Sequence, residues 1–464
     1  MEPMSRRQFL AKSFTHAAGL SLGLSAFSCT RASQTIRGAN DKVVLAEIGA
    51  GNFGHKLIKN MVGFKNVEFK YVCDVDNTRG AGTIKAIADA QGYEPKRIVD
   101  MRRVFDDKDV DAVVVSTPEH WHALATVWAC QAGKDVYVEK NISLSIWEGR
   151  KMLEAARKYN RIVQCGTQNR SSDYGYTARE YIKNGKLGKV LLVKVYNMLH
   201  AGNKLVQVPD SETPDYIDWD RWLGPARKLP YNRRRHKAWL NYWDHSTGEL
   251  GHSTSHQMDF ARLALGDPGH PKSVYCAGGR LEYDDGREIP DVQIVTYDYG
   301  DFIMTVEDTG FCNYMGKSGK DVRFEDKFPD WPRNSTRIEI YGTEAMMYLG
   351  RMGGGWQVVK RLSKAERAKK GKKHGTVDQE HGRFPLVPHE QNFIDCIRSR
   401  KQPNGDIEQG HYSATLVHLG NISLRAGNRH LLFDGKTERF TNFEQANTLL
   451  KPHYRAPYVL PEQV

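Results

Sequence analysis

The chain holds 464 residues, 40% hydrophobic and 26% charged, with 67 Lys and Arg against 55 Asp and Glu for a formal net charge of +12. That length suits two or three domains around a large core. The excess charge does not read as a nucleic-acid surface: part lies at the N-terminus and part in "KAERAKKGKKHG" (364–375), expected to be a solvated loop, with no aromatic interleaving and no nucleic-acid module.

The first 30 residues read "MEPMSRRQFLAKSFTHAAGLSLGLSAFSCT". Arg6 and Arg7 in "SRRQFLAK", followed by the weakly apolar "AAGLSLGLSAF", predict a twin-arginine export signal over 1–34 and a periplasmic destination. The plainer reading is a frayed amphipathic terminus. Cys29 after "SAFS" is a candidate lipid anchor, and the rest of the chain has no apolar stretch long enough to cross a membrane. Beyond residue 34, Cys73, Cys130, Cys165, Cys276, Cys312 and Cys396 are scattered without CxxC or metal-ligand spacing, which predicts core thiols.

From 41 to 165 strand and helix signals alternate: "KVVLAEIG", "VEFKYVCDVD", "VDAVVVSTP", "DVYVEK" and "RIVQCG" as strands, with helical stretches between them. This pattern predicts an α/β fold with a doubly wound, mostly parallel sheet. From 166 to 385 the texture changes to long strands such as "KVLLVKVYNML" and "VQIVTYDYGDFIMTVEDTG", which predicts an α+β domain with a large, open, mostly antiparallel sheet. Residues 386–464 read as two helices and a proline-broken tail lying across another surface.

Gly49-Ala50-Gly51-Asn52-Phe53-Gly54 follows the first strand and opens a helix. Gly49 would make the tight turn, Gly51 would let a pyrophosphate approach the backbone, and Gly54 would let helix and strand touch. Asp74 ends the second strand, 20 residues beyond Gly54, where a carboxylate accepts from ribose hydroxyls and repels a 2′-phosphate. The expectation is a Rossmann domain holding NAD; the plainer reading is a structural glycine turn with a surface aspartate.

With "GAGNFG", "STPEHWH" (116–122) and "VEKN" (138–141), the chain resembles the Gfo/Idh/MocA oxidoreductase family from 41 to 464. The family usually shows Glu-Lys-Pro where this chain has Glu139-Lys140-Asn141. The resemblance implies the Rossmann domain plus an open antiparallel sheet, action on sugars or polyols, and a homo-oligomer, dimer or tetramer. It is also similar to exported NAD-dependent α-N-acetylgalactosaminidases. By the same resemblance Lys140 sits beside the nicotinamide and the reacting hydroxyl. Ser116, Thr117, Glu119, His122 and Glu139 belong to the cofactor loops, with Gln168 and Asn169 at the nicotinamide end and Arg170 toward the substrate.

The family pattern of glycine, aspartate, histidine and aspartate survives in "GELGHSTSHQMD" as Gly248, His256 and Asp259, with His252 at the first aspartate position. A helix from about Ser253 would put His252 and His256 on one face. His256 is the expected general base or acid, since an imidazole near pKa 6.5 suits proton transfer, and His252 assists it or binds a sugar hydroxyl. The pair could instead bind a metal, but no third ligand is evident, and no metal is expected. Tyr176, His200, Arg235, His236 and Trp243 are candidate sugar contacts; a packed loop is the plainer reading for each. Two reaction schemes suit an exported enzyme with tightly held NAD. One oxidises a glycoside hydroxyl at C3 and restores the cofactor with a keto-sugar acceptor. The other oxidises, eliminates, hydrates and reduces as a redox-neutral glycosidase, and needs a group such as Tyr174 or Tyr176 for the C2 proton.

Overall fold

A computed structural model describes residues 42–200 and 204–464. The export signal expected over 1–34, with Cys29, lies outside the described residues. Six parallel strands, β1 (Val43–Ile48), β2 (Val67–Cys73), β3 (Lys96–Ile98), β4 (Ala112–Val115), β5 (Asp135–Val138) and β6 (Val163–Cys165), lie in the order β3-β2-β1-β4-β5-β6. β4 and β5 are buried on both faces, as strands covered by helices on either side must be. β1 pairs with β2 on one side and β4 on the other, so the chain changes direction across the sheet there. That switch point opens a crevice at the carboxyl ends of the strands. β3 gave no sequence signal because it has three residues, two of them Lys96 and Arg97.

Ten further strands form the second sheet: β7 (Val190–Met198), β8 (Ser273–Gly279), β9 (Val292–Asp298), β10 (Ile303–Thr309), β11 (Arg337–Gly342), β12 (Met346–Gly350), β13 (Trp356–Arg361), β14 (His374–Glu380), β15 (Leu431–Asp434) and β16 (Arg439–Phe440). Their order is β14-β13-β12-β11-β7-β10-β9-β8-β15-β16. Neighbours run antiparallel except β7 and β10, which are parallel. Val193, Val195, Met304, Val306, Ile338 and Ile340 alternate onto one face and share a core with Met258, Phe260, Leu416 and Leu419 of the helices Ser255–Ala264 and Ile407–Arg425. The period of two in each strand therefore sets which face the helices cover.

The basic run at 364–375 is not the solvated loop expected. Lys364–Lys370 is a helix with a capping box between Ser363 and Glu366, ended by Gly371 in the left-handed region, and His374 begins edge strand β14. The S-x-x-E and glycine signals outweigh the charge repulsion within one short helix. The tail lies on the first sheet's helices: Tyr454 donates to Glu148, Lys158 donates to the Val464 carbonyl, and Tyr458 meets Trp121 edge-on. Cys73, Cys130, Cys165, Cys276, Cys312 and Cys396 are free and buried. Among the described residues no helix is long and apolar enough to cross a membrane.

Candidate active site

The three glycines after β1 do different jobs. Gly49 has φ +91°, and a Cβ there would come within 2.7 Å of the Thr117 nitrogen. A Cβ at Gly54 would lie 2.5 Å from the Gly49 carbonyl oxygen and the Ser116 hydroxyl, so the helix Asn52–Met61 can approach only with glycine. A Cβ at Gly51 would meet nothing within 4 Å. That open face, beside a helix N-terminus with no acidic residue in its first turn, is a cradle for an anionic group. Asp74 closes the turn from the other side: its two oxygens accept from the Ala50 and Asp76 backbone N–H groups, both at 2.8 Å. Burial pushes its pKa up. A carboxylate has about four lone-pair sites, so two remain for a ribose diol. These residues fit NAD.

A cavity of about 530 Å³ runs over this turn, and a second of about 410 Å³ continues from it. Phe53, Ser116, Thr117, Trp239 and His252 line both. Lys140, two residues beyond β5, lines the second, and its amine donates to the His252 carbonyl at 2.7 Å. The Lys140–Asn141 peptide is cis, although Asn141 replaces the family's proline. His122 packs between backbone carbonyls, Nδ1 at 2.7 Å from Asn141 and Nε2 at 2.8 Å from Thr117, and burial lowers it to about 4. It thereby ties the backbone at Thr117, after β4, to the backbone at Asn141, after β5. Glu119 accepts from the Thr247 N–H and hydroxyl, both at 2.7 Å, and burial raises it to about 7. Glu139 is also raised to about 7 by burial, with Gln168 at 3.4 Å. A Cβ at Gly166 would overlap the Glu139 carboxylate.

His252 and His256 both line the second cavity. The expected single helix is instead a π-turn, Leu250–Thr254, leading into the helix Ser255–Ala264. Such turns are frequent at functional sites. Neither imidazole sits near 6.5: burial lowers both well below it, with Lys140 next for His252 and Arg351 next for His256. They are neutral bases through the physiological range. Asp259 faces away and accepts from Arg170 and Ser413, both at 2.7 Å.

Several expected contacts lie elsewhere. Arg170 is buried in ion pairs with Asp259 at 2.7 Å and Asp267 at 3.0 Å, so it is structural and not a sugar contact. Tyr176 donates to the Arg170 carbonyl and Tyr174 to the Gly350 carbonyl, and neither lines either of these two cavities. Asn169 donates to the Arg351 carbonyl and Tyr174 instead of facing the nicotinamide end. Arg235 lies over the Tyr242 ring and near Asp244 and Glu288, and Trp243 lies beneath Arg425. His236 lines the first cavity beside Asp76 and Trp222, which moves it to the cofactor end. His200 does line the second cavity. Except for Trp243, which packs against the Arg425 guanidinium, a nearby carboxylate, carbonyl or ring engages each misplaced side chain. The sequence reading missed Trp239, Glu249, Lys317, Arg323 and Arg351, which also line the second cavity. The glycine run after Arg351 was the available signal for that residue.

Among the described residues one trio gathers metal-type ligand atoms, His270, His411 and Glu438, within 4.8 Å. Arg150 already holds both Glu438 oxygens, and the trio lines neither cavity.

Residues 44–167 match the "Oxidoreductase family, NAD-binding Rossmann fold", and 178–331 with 377–460 match its "C-terminal alpha/beta domain". The chain belongs to the Gfo/Idh/MocA oxidoreductase family. Its parallel sheet is the family's NAD-binding domain, and its open sheet is the family's second domain. Family relatives include the "Uncharacterized oxidoreductase YrbE" of Bacillus subtilis, 25% identical over 58% of this chain and 67% of that protein. The scyllo-inositol 2-dehydrogenase (NAD(+)) of the same organism is 26% identical over 78% and 88%. For other curated relatives the match spans about half of their length. A levoglucosan dehydrogenase in complex with NADH and levoglucosan shares the fold at TM-score 0.59, with 18% identity over 84% of this chain and 99% of that one.

Proposed function

We propose that the protein oxidises a carbohydrate hydroxyl, C3 of a glycoside, to the ketone, with NAD held in the cleft. The observation that carries this is the Lys140 amine, fixed against the His252 carbonyl, on the wall of a cavity shared with two neutral imidazoles. NAD, when bound, supplies the acceptor for the hydride of the carbinol carbon. The His256 imidazole takes the hydroxyl proton, and Lys140 uses its remaining hydrogens to hold the oxygen as it becomes a carbonyl. His122, through Asn141 and Thr117, keeps the cofactor loops in place. Named sugar and inositol dehydrogenases among the relatives support the substrate class.

The proposal includes export by the twin-arginine signal at 1–34 into the periplasm, with Cys29 as the position for a lipid anchor. There the cofactor stays tightly bound and a second keto sugar restores it. It also includes a homo-oligomer, dimer or tetramer: Tyr275 and Ile294 lie exposed on the sheet face opposite the core. The redox-neutral glycosidase reading is the weaker one, because the hydroxyls of Tyr174 and Tyr176 are engaged outside the cavity.

The test is to incubate the purified protein with simple glycosides, with and without a keto-sugar acceptor. An oxidised, intact glycoside appearing only with the acceptor is the expected product. Release of p-nitrophenol from a p-nitrophenyl glycoside by the protein alone would establish the glycosidase instead.

A further inference from the structure

Three cations on the second cavity have no carboxylate partner among the described residues: Lys317, Arg323 and Arg351. Arg351 is 7% exposed. One of its Nη atoms contacts the Met352 sulfur, and its buried Nε has no hydrogen-bond partner. The Phe384 ring lies 5.8 Å from the guanidinium. Burial, then Arg323, lowers its pKa to about 10. A buried guanidinium with a bare donor edge is costly to keep unless something fills it.

The backbone brings these charges together. Arg351 begins the turn between β12 and β13, where Gly353, Gly354 and Gly355 all have positive φ. A Cβ at Gly353 would lie 2.8 Å from the Val322 carbonyl oxygen and 2.9 Å from the Arg323 Cα. The glycines therefore let this turn press onto the segment carrying Arg323, setting like charges side by side. Among the described residues the acids on the same cavity form no ion pair with them, although Glu249 attracts Lys317 and Glu139 attracts Arg351 from a distance. Glu119 and Glu139 are raised to about 7 by burial, and burial raises Glu249 as well. Arg351 lies between the two stretches that match the family's second domain, 178–331 and 377–460, whereas Lys317 and Arg323 lie within the first.

We propose that the sugar carries a carboxylate, as a uronic acid does, gripped by the Arg351 guanidinium where it lines the cavity, with Lys317 and Arg323 completing an anion site. A planar guanidinium edge matches a carboxylate with two parallel hydrogen bonds. The inference rests on the sugar-oxidation reading and narrows its substrate class.

The experiment uses the full chain with its bound cofactor and follows reduction of that cofactor by methyl glucuronide, its neutral methyl ester, and methyl glucoside. The glucuronide should exceed both neutral sugars by about 10- to 100-fold in kcat/KM, the range for hydrogen bonds to a charged group. Arg351→Gln should remove that preference while the nucleotide released on denaturation stays unchanged. Lys317→Ala, at an exposed position that does not threaten folding, should reduce it. Equal or better use of the glucoside overturns the proposal, as does loss of nucleotide from Arg351→Gln, which would assign the guanidinium to the cofactor. A 6-sulfated sugar preferred over the glucuronide overturns the carboxylate. If no sugar reduces the cofactor, the oxidation reading fails. Calorimetric binding of glucuronate by the native protein, lost in Arg351→Gln, then still decides the anion site.

Discussion

The two ends of the cleft handle charge in opposite ways. At the cofactor end the cations are already matched: Arg102 clamps Asp100, Arg221 clamps Asp218, and Lys237 lies 3.3 Å from Asp76. At the sugar end Lys317, Arg323 and Arg351 have no ion pair among the described residues. The first end is self-neutralised, and what it leaves open is the helix N-terminus at Gly51 beside the Asp74 carboxylate. The second keeps its charge for whatever enters. Buried charge is tolerated where it is paired, so the buried and unpaired Arg351 marks the place where a partner arrives with the ligand.

The largest effect should come from the junction of the two ends. Lys140→Ala should lower kcat by about 10²- to 10⁴-fold while the protein still retains NAD, as measured by steady-state turnover and nucleotide release. Retained turnover would break the division between a cofactor end and a reacting end. Asp259→Ala removes one of the two carboxylate partners of buried Arg170 and should destabilise the fold by about 1–3 kcal/mol in urea unfolding. A stable variant with altered sugar preference would instead return Arg170 to the substrate. Asp74→Ser should weaken NAD binding by about 10- to 100-fold and admit NADP, read by titration of the stripped protein.

The glycine turn offers a smaller and sharper contrast. Gly51→Ala should leave the melting temperature near the parent value but weaken cofactor binding, because its Cβ points into empty space. Gly54→Ala should cost about 1–3 kcal/mol of stability, because its Cβ would overlap backbone. The smallest predicted effect is in pH. Burial, then Arg351, Lys140, His252 and Lys317, lowers His256 well below 6.5. A base must be neutral to act, so kcat/KM should hold as pH falls through 6.5 and decline only below it. An acid limb at 6.5 would mean that His256 titrates as an exposed imidazole does.

Much of the fold was legible because its signals are local and periodic. The apolar strands, the glycine fingerprint and the end of β2 at Asp74 all read directly from spacing. Lys140 was found because it follows a strand within a known motif. Arg170, Tyr176, Arg235 and Trp243 misled because a lone polar residue near a motif says nothing about its partners; Asp259, which holds Arg170, lies 89 positions along the chain. Arg351 was missed for the converse reason. Its significance is the absence of a partner, and only the folded packing of β12, its glycine turn and Arg323 makes that absence visible.

The central claim is that a nicotinamide cofactor held in this cleft exchanges hydride with a sugar beside Lys140. The most direct measurement is to denature freshly purified protein, assay the supernatant for NAD, and follow the absorbance of reduced nicotinamide when native protein meets methyl glucuronide. The account predicts close to one nucleotide per chain and a single reduction burst that Lys140→Ala abolishes. Protein that releases no NAD, and cannot be loaded with it, would contradict the account.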